Sequence, residues 1–72
     1  MRDLLLEAVR NHAQGHVEKH RANIEVYLAH PVGIGEHSDI IEAIEVELEQ
    51  MAKYEDQLDI LDTYFDGDKH WK

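Results

Sequence analysis

Inward-facing positions recur every seven residues through the second half of the chain. One line of positions reads His37, Ile44, Met51, Leu58 and Phe65, and a second reads Ile41, Leu48, Glu55 and Asp62. Alternating steps of three and four residues place such positions along the side of an α-helix that packs against another helix. Asp39 followed by Glu42 has the spacing of a capping box, with Ser38 as the alternative N-cap. The pattern therefore predicts a helix over about residues 39–65.

A similar pattern predicts a first helix over about residues 3–30. Its inward positions, again in steps of three and four, are Leu6, Val9, Ala13, His16, His20, Asn23 and Tyr27. Pro31 disfavours helical geometry at the residue before it, so the helix ends there. The glycines that follow favour a loop over residues 31–38. Residues 1–66 are thus predicted to form a helical hairpin, and residues 67–72 a polar C-terminal tail.

The predicted fold is all-α, an antiparallel two-helix hairpin that dimerises into a four-helix bundle. A short loop makes neighbouring helices antiparallel. Pairing from the loop outward then sets His20 near Leu48 and His16 opposite Met51. A chain of 72 residues buries only about 60% of its unfolded surface, and the absence of cysteine excludes disulfides. Dimerisation is expected because a lone hairpin offers each helix only one contact face.

The net charge of −9 is concentrated in the second half of the chain. Residues 39–65 contain a single base, Lys53, among many acids, whereas acids and bases balance in residues 1–30. Such a surface repels phosphate, which argues against nucleic acid and anionic membranes as partners. No apolar run approaches the roughly 20 residues that span a bilayer, and the start does not resemble a signal peptide. A cytoplasmic protein is therefore expected.

Three histidines, His12, His16 and His20, are spaced four residues apart along one side of the first helix. In the predicted hairpin, Glu55 would lie within reach of His12 or His16, and Glu47 close to His20. Imidazoles at this spacing, with a carboxylate from a facing helix, can bind zinc, iron or manganese. The alternative is that the neutral histidines bond to Glu47 and Glu55 and set the register of the helices, with no cofactor.

The same histidines support a further hypothesis, pH sensing. Protonation of His16 and His20 would charge the interface or strengthen their pairing with the glutamates. No arrangement of nucleophile and base emerges from the sequence, because its single serine and single threonine, Ser38 and Thr63, suit a helix cap and an outer helix position. The chain is therefore not expected to be an enzyme.

Residues 23–28 read Asn-Ile-Glu-Val-Tyr-Leu, and residues 31–37 read Pro-Val-Gly-Ile-Gly-Glu-His. With these two stretches, the segment from His16 through Leu61 resembles small uncharacterised proteins of tailed marine phages that infect cyanobacteria. The resemblance implies a phage accessory protein made in the cytoplasm of a bacterial host. It implies no activity and identifies no functional residues.

The leading functional hypothesis is a non-enzymatic, self-associating hairpin that presents an acidic face to a basic protein partner. The acidic face consists of Glu42, Glu45, Glu49, Asp56 and Asp59, and Trp71 is an additional candidate anchor. The alternative hypothesis is a metal-binding helical bundle that uses His12, His16, His20, Glu47 and Glu55.

Overall fold

Two α-helices account for nearly all of the residues that the structure, a computed structural model, describes. These residues are 1–29 and 39–66. Helix α1 spans Arg2–Ala29 and helix α2 spans Ile40–Tyr64. Each helix end lies within one residue of the bound expected from the sequence. The predicted loop and tail lie outside the described residues.

Local hydrogen bonds explain where α2 begins and ends. The side chain of Asp39 is the N-cap, since its Oδ1 accepts from the backbone N–H of Glu42 at 3.0 Å. An acidic cap satisfies a free amide of the first turn and interacts favourably with the positive end of the helix dipole. At the other end, the N–H of Phe65 still donates to the carbonyl oxygen of Leu61 at 2.9 Å. The prediction of Asp39 as the cap is confirmed.

The helices pack against each other in antiparallel orientation. His20 near the end of α1 contacts Glu47 near the start of α2, and Arg10 near the start of α1 bonds to Asp62 near the end of α2. The predicted all-α hairpin is therefore confirmed.

The core of the described residues is small. Its buried apolar side chains are Ala13, Val17 and Leu61, which are 0%, 4% and 8% exposed, and His20 is buried beside them. None of the large side chains described is fully buried. Because a pair of helices touches along one strip, most apolar residues beside that strip keep contact with solvent.

The predicted second line of α2 is wrong. Ile41 is 68% exposed and Leu48 is 51% exposed, and the other two members of that line are also exposed. The residues that face α1 instead are Ile40, Glu47, Tyr54 and Leu61, together with the correctly predicted Ile44, Met51 and Leu58. Residues 44, 51 and 58 form a continuous helix face with either neighbouring line, 41, 48, 55 and 62 or 40, 47, 54 and 61, because both give steps of three and four. The second line faces α1 because Glu47 and Tyr54 make contacts with residues of that helix.

Because the core is small, a buried and an exposed valine of α1 should contribute very differently to the free energy of unfolding. Val17→Ala removes two buried methyl groups and should lower the free energy of unfolding by about 1–2 kcal/mol. Val26→Ala in the same helix is the matched control, because Val26 is 56% exposed and both changes raise helix propensity equally. Urea unfolding followed by circular dichroism at one protein concentration measures the difference. A Val17→Ala variant as stable as the Val26→Ala variant would contradict this packing.

Candidate functional site

Three histidine rings lie in a row along one side of the helix pair, and a tyrosine ring lies against the middle one. This histidine–tyrosine row consists of His12, His16 and His20 of α1 and Tyr54 of α2. The ring of His16 stacks on that of Tyr54, with centroids 4.1 Å apart and an interplanar angle of 9°. On α1, the His16 ring lies 4.7 Å from His12, edge to face, and 5.8 Å from His20, roughly parallel. His16 is therefore the centre of the row.

Helix geometry explains why these rings meet. Residues four apart lie one turn apart on the same face, so the three imidazoles form a ladder along α1. Tyr54 lies seven residues after Glu47 on the inward side of α2, which brings its ring against the ladder. The ring of Tyr54 also lies 6.4 Å from both His12 and His20. A single residue of α2 thus contacts all three histidines.

A hydrogen-bond network lies at the His20 end of the row. Glu47 Oε1 lies 2.6 Å from His20 Nδ1 and accepts from the side-chain amide of Asn23 at 3.0 Å. The side chains of His20 and Glu47 are only 10% and 14% exposed. The hydrogen bond from His20, followed by that from Asn23, lowers the pKa of Glu47 below its usual value, although partial burial opposes the shift. The carboxylate is therefore held ionised inside the interface.

His16 lacks such a partner. Its buried Nδ1 makes no hydrogen bond to any residue described. Burial is the main reason that the pKa of His16 lies below its usual value, and His12, Lys19, His20 and Lys53 lower it further. This surrounding favours the neutral imidazole.

The structure brings together four of the five predicted metal ligands. The histidines lie in one row, and Glu47 contacts His20 as expected. Glu55 is exposed, and no contact between it and the three histidines is found among the residues described. In its place the ring of Tyr54 lies against His16. No group of three or more possible ligands is positioned for a metal ion among residues 1–29 and 39–66, and the zinc, iron or manganese site stays a prediction.

The predicted acidic face lies on the outer side of α2. Its five carboxylate residues are all exposed, and steps of three, four and seven place them on one side of the helix, namely Glu42, Glu45, Glu49, Asp56 and Asp59. That side points away from the line that contacts α1. Trp71, the predicted anchor, lies outside the described residues.

Three contacts across the interface were not predicted from the sequence. They are the stacking of Tyr54 on His16, the hydrogen bond from Asn23 to Glu47, and the ion pair between Arg10 and Asp62. The seven-residue step from Glu47 through Tyr54 to Leu61 was a readable signal for the first. Hydrophobicity alone favours the neighbouring line, because that line has Leu48 at the turn where this one has the charged Glu47.

Comparisons with known proteins leave the function open. No protein-family profile matches the chain, and no curated protein or solved structure is significantly similar to it. The resemblance to phage proteins therefore stays a prediction. Neither of the two helices described has the length and apolar character needed to cross a membrane.

Because the carboxylate of Glu47 is bonded to two residues of α1, Glu47 should stabilise the fold more than the nearby Glu49 does. Glu47→Gln keeps the shape of the side chain but removes the charge that accepts from His20 and Asn23, so it should lower the free energy of unfolding by about 1–2 kcal/mol. The control is Glu49→Gln, at an exposed position, where a change within about 0.5 kcal/mol is expected. Chemical denaturation at pH 7.5 measures both. Equal effects of the two substitutions would show that the network contributes nothing beyond net charge.

Proposed function

We propose that the protein is a self-associating helical hairpin that acts as a protein-binding module rather than as an enzyme. The observation that supports self-association best is the exposure of apolar side chains. Twelve large hydrophobic side chains of the described residues are between 43% and 85% exposed, while three apolar residues form the buried core. Exposed apolar surface on this scale is typical of a chain that buries it against another chain.

Two hairpins that form a four-helix bundle would satisfy this requirement. Helices packed as four give each helix two neighbours, so a wider apolar stripe is covered than in a lone pair. The exposed apolar residues that flank the present interface include Val9 and Leu28 of α1, and Ile41 and Leu48 of α2. They provide the additional contact surface that a second copy would cover.

Charge limits how two copies can approach. The acidic face of α2, set against itself in a second copy, would place ten carboxylates in one interface, which is strongly unfavourable. That face therefore remains outside the proposed bundle. It is then available to a third molecule, and a protein with a basic surface is the complementary partner. The resemblance to phage proteins implies that such a partner is found in the cytoplasm of a bacterial host.

Self-association predicts the mass of the particle in solution and a melting temperature that depends on protein concentration. Sedimentation equilibrium at neutral pH should give a particle of twice the 8.4 kDa mass of one chain. The melting temperature should rise with protein concentration, because association stabilises only the folded chain. A single 8.4 kDa species with a concentration-independent melting temperature would contradict the dimer.

If the acidic face of α2 binds a partner, replacing its glutamates should abolish that binding, whereas replacing glutamates of α1 should not. The triple variant Glu42→Gln, Glu45→Gln, Glu49→Gln should lose a salt-sensitive partner that the unaltered protein captures from bacterial lysate. The matched control neutralises three exposed glutamates of α1, Glu7, Glu18 and Glu25, and should retain that partner. Mass spectrometry of material eluted at two salt concentrations identifies what is bound. If both triple variants lose the partner equally, net charge rather than the acidic face is responsible.

A further inference from the structure

The two long edges of the helix pair differ in chemistry. Arg10 bonds to Asp62 across one of them, which we call the arginine edge. Leu28 lies eighteen residues after Arg10, which is five full turns, so both lie on the same side of α1. Lys53, whose Nζ lies 5.1 Å from the ring centroid of Tyr54, marks the other edge beside the histidine–tyrosine row. We call this the lysine edge.

One end of the arginine edge is apolar. Ile41 and Leu48 precede Asp62 by three and two steps of seven residues, so they lie along the same edge of α2. Leu28 is in the last turn of α1 and Ile41 in the first turn of α2, and antiparallel packing brings these turns together. Each of the three apolar side chains is more than half exposed. Leu28, Ile41 and Leu48 thus form one exposed surface, the apolar patch.

The arginine edge becomes acidic toward its other end. The positions that continue the line of Ile41 and Leu48 are Glu55 and Asp62, and both are exposed. If two copies overlapped along their whole length in antiparallel orientation, Ile41 of one copy would lie opposite Asp62 of the other. In parallel orientation, each carboxylate would lie opposite itself. Both arrangements bring carboxylates into the interface without a cation to pair with, which is unfavourable.

A staggered arrangement avoids this conflict. Moving one antiparallel copy by fourteen residues brings Leu48 rather than Asp62 opposite Ile41, and two-fold symmetry repeats this contact. Glu55 then lies beyond the first residue of α2 in the other copy, outside the contact. Fourteen residues of helix correspond to about 21 Å. The charge pattern of the arginine edge therefore favours one register.

The lysine edge is less suited to a second copy. Its exposed apolar residues Val46 and Ile60 are separated by Lys53 and Gln57. A second copy on this edge would take Lys53 out of water. The positions that continue in steps of three and four from Val46 to Tyr64 contain no carboxylate that would pair with it. An unpaired cation in an interface is costly.

We propose that two copies of the chain meet through their apolar patches, in antiparallel orientation and with a stagger of about two heptads, so that their acidic ends point away from each other. The proposal rests on the self-association proposed above, and it specifies the surface and the register. Four helices then overlap only in the half of each hairpin that carries the apolar patch. The acidic face stays accessible on both copies.

A matched pair of substitutions in α2 tests the surface. Leu48→Glu and Val46→Glu add the same charge at positions that are 51% and 50% exposed, but these positions lie on opposite edges. In sedimentation equilibrium, Leu48→Glu should raise the dissociation constant of the dimer by about tenfold or more, because it places two additional carboxylates in the interface. Val46→Glu should leave that constant nearly unchanged. Circular dichroism of both variants checks that the helices are retained.

The state of the unaltered protein reports on self-association, and the two variants report on the surface. An unaltered protein that stays at 8.4 kDa at every concentration would overturn both proposals. An unaltered dimer that Leu48→Glu does not weaken more than Val46→Glu does would leave self-association in place. It would overturn the apolar patch as the contact surface.

A distance between two spin labels tests the stagger. The chain has no cysteine, so Thr63→Cys, at an exposed position near the end of α2, gives one labelling site in each copy. The staggered dimer separates the two labels by about 55 Å along its axis, compared with about 35 Å for full antiparallel overlap and less for parallel overlap. Pulsed electron paramagnetic resonance measures this separation. A value below about 40 Å in a dimeric sample would overturn the staggered register.

Discussion

The structure depends on how little apolar surface two helices can hide between them. Each helix contributes a single strip, and that strip contains few large apolar residues in contact with the other helix. Only Ala13, Val17 and Leu61 are buried apolar residues among those described. Since a domain of this size has a small margin of stability, each polar contact inside the strip accounts for a larger share of the total stability than it would in a larger domain. The rest of the molecule can be understood from this constraint.

Polar contacts fix the register of the helices where apolar contacts are too few to do so. The Glu47 network lies near one end of the pair, and the ion pair between Arg10 and Asp62 lies near the other. Tyr54, stacked on His16, lies between them. Sliding one helix by a turn would break all three contacts together and leave the Glu47 carboxylate without its donors. A buried charge without a partner is costly, so the network disfavours other registers even if it adds little net stability.

The sequence was sufficient for the helices and their antiparallel packing, because proline, glycine and a capping residue determine where helices end locally. The pairing of His20 with Glu47 was also predictable, since the register was nearly right. The side of α2 that faces α1 could not be predicted from the sequence. Apolar Ile41 and Leu48 suggested one side, whereas the structure uses the side with Glu47 and Tyr54. Periodicity ranks positions by hydrophobicity alone, and it cannot weigh a hydrogen bond whose partner is on another helix.

Because α2 turns Glu47 and Tyr54 toward α1, it can present both an apolar edge and an acidic face to other molecules. With Glu47 and Tyr54 turned inward, the apolar Ile41 and Leu48 are left at the edge of the pair, where a second chain can reach them. The carboxylates of the acidic face lie on the remaining side. Had the apolar line packed inward, the hairpin would have hidden its own association surface and exposed a tyrosine and a glutamate instead. A poorer internal core is thus the physical condition for the proposed bundle.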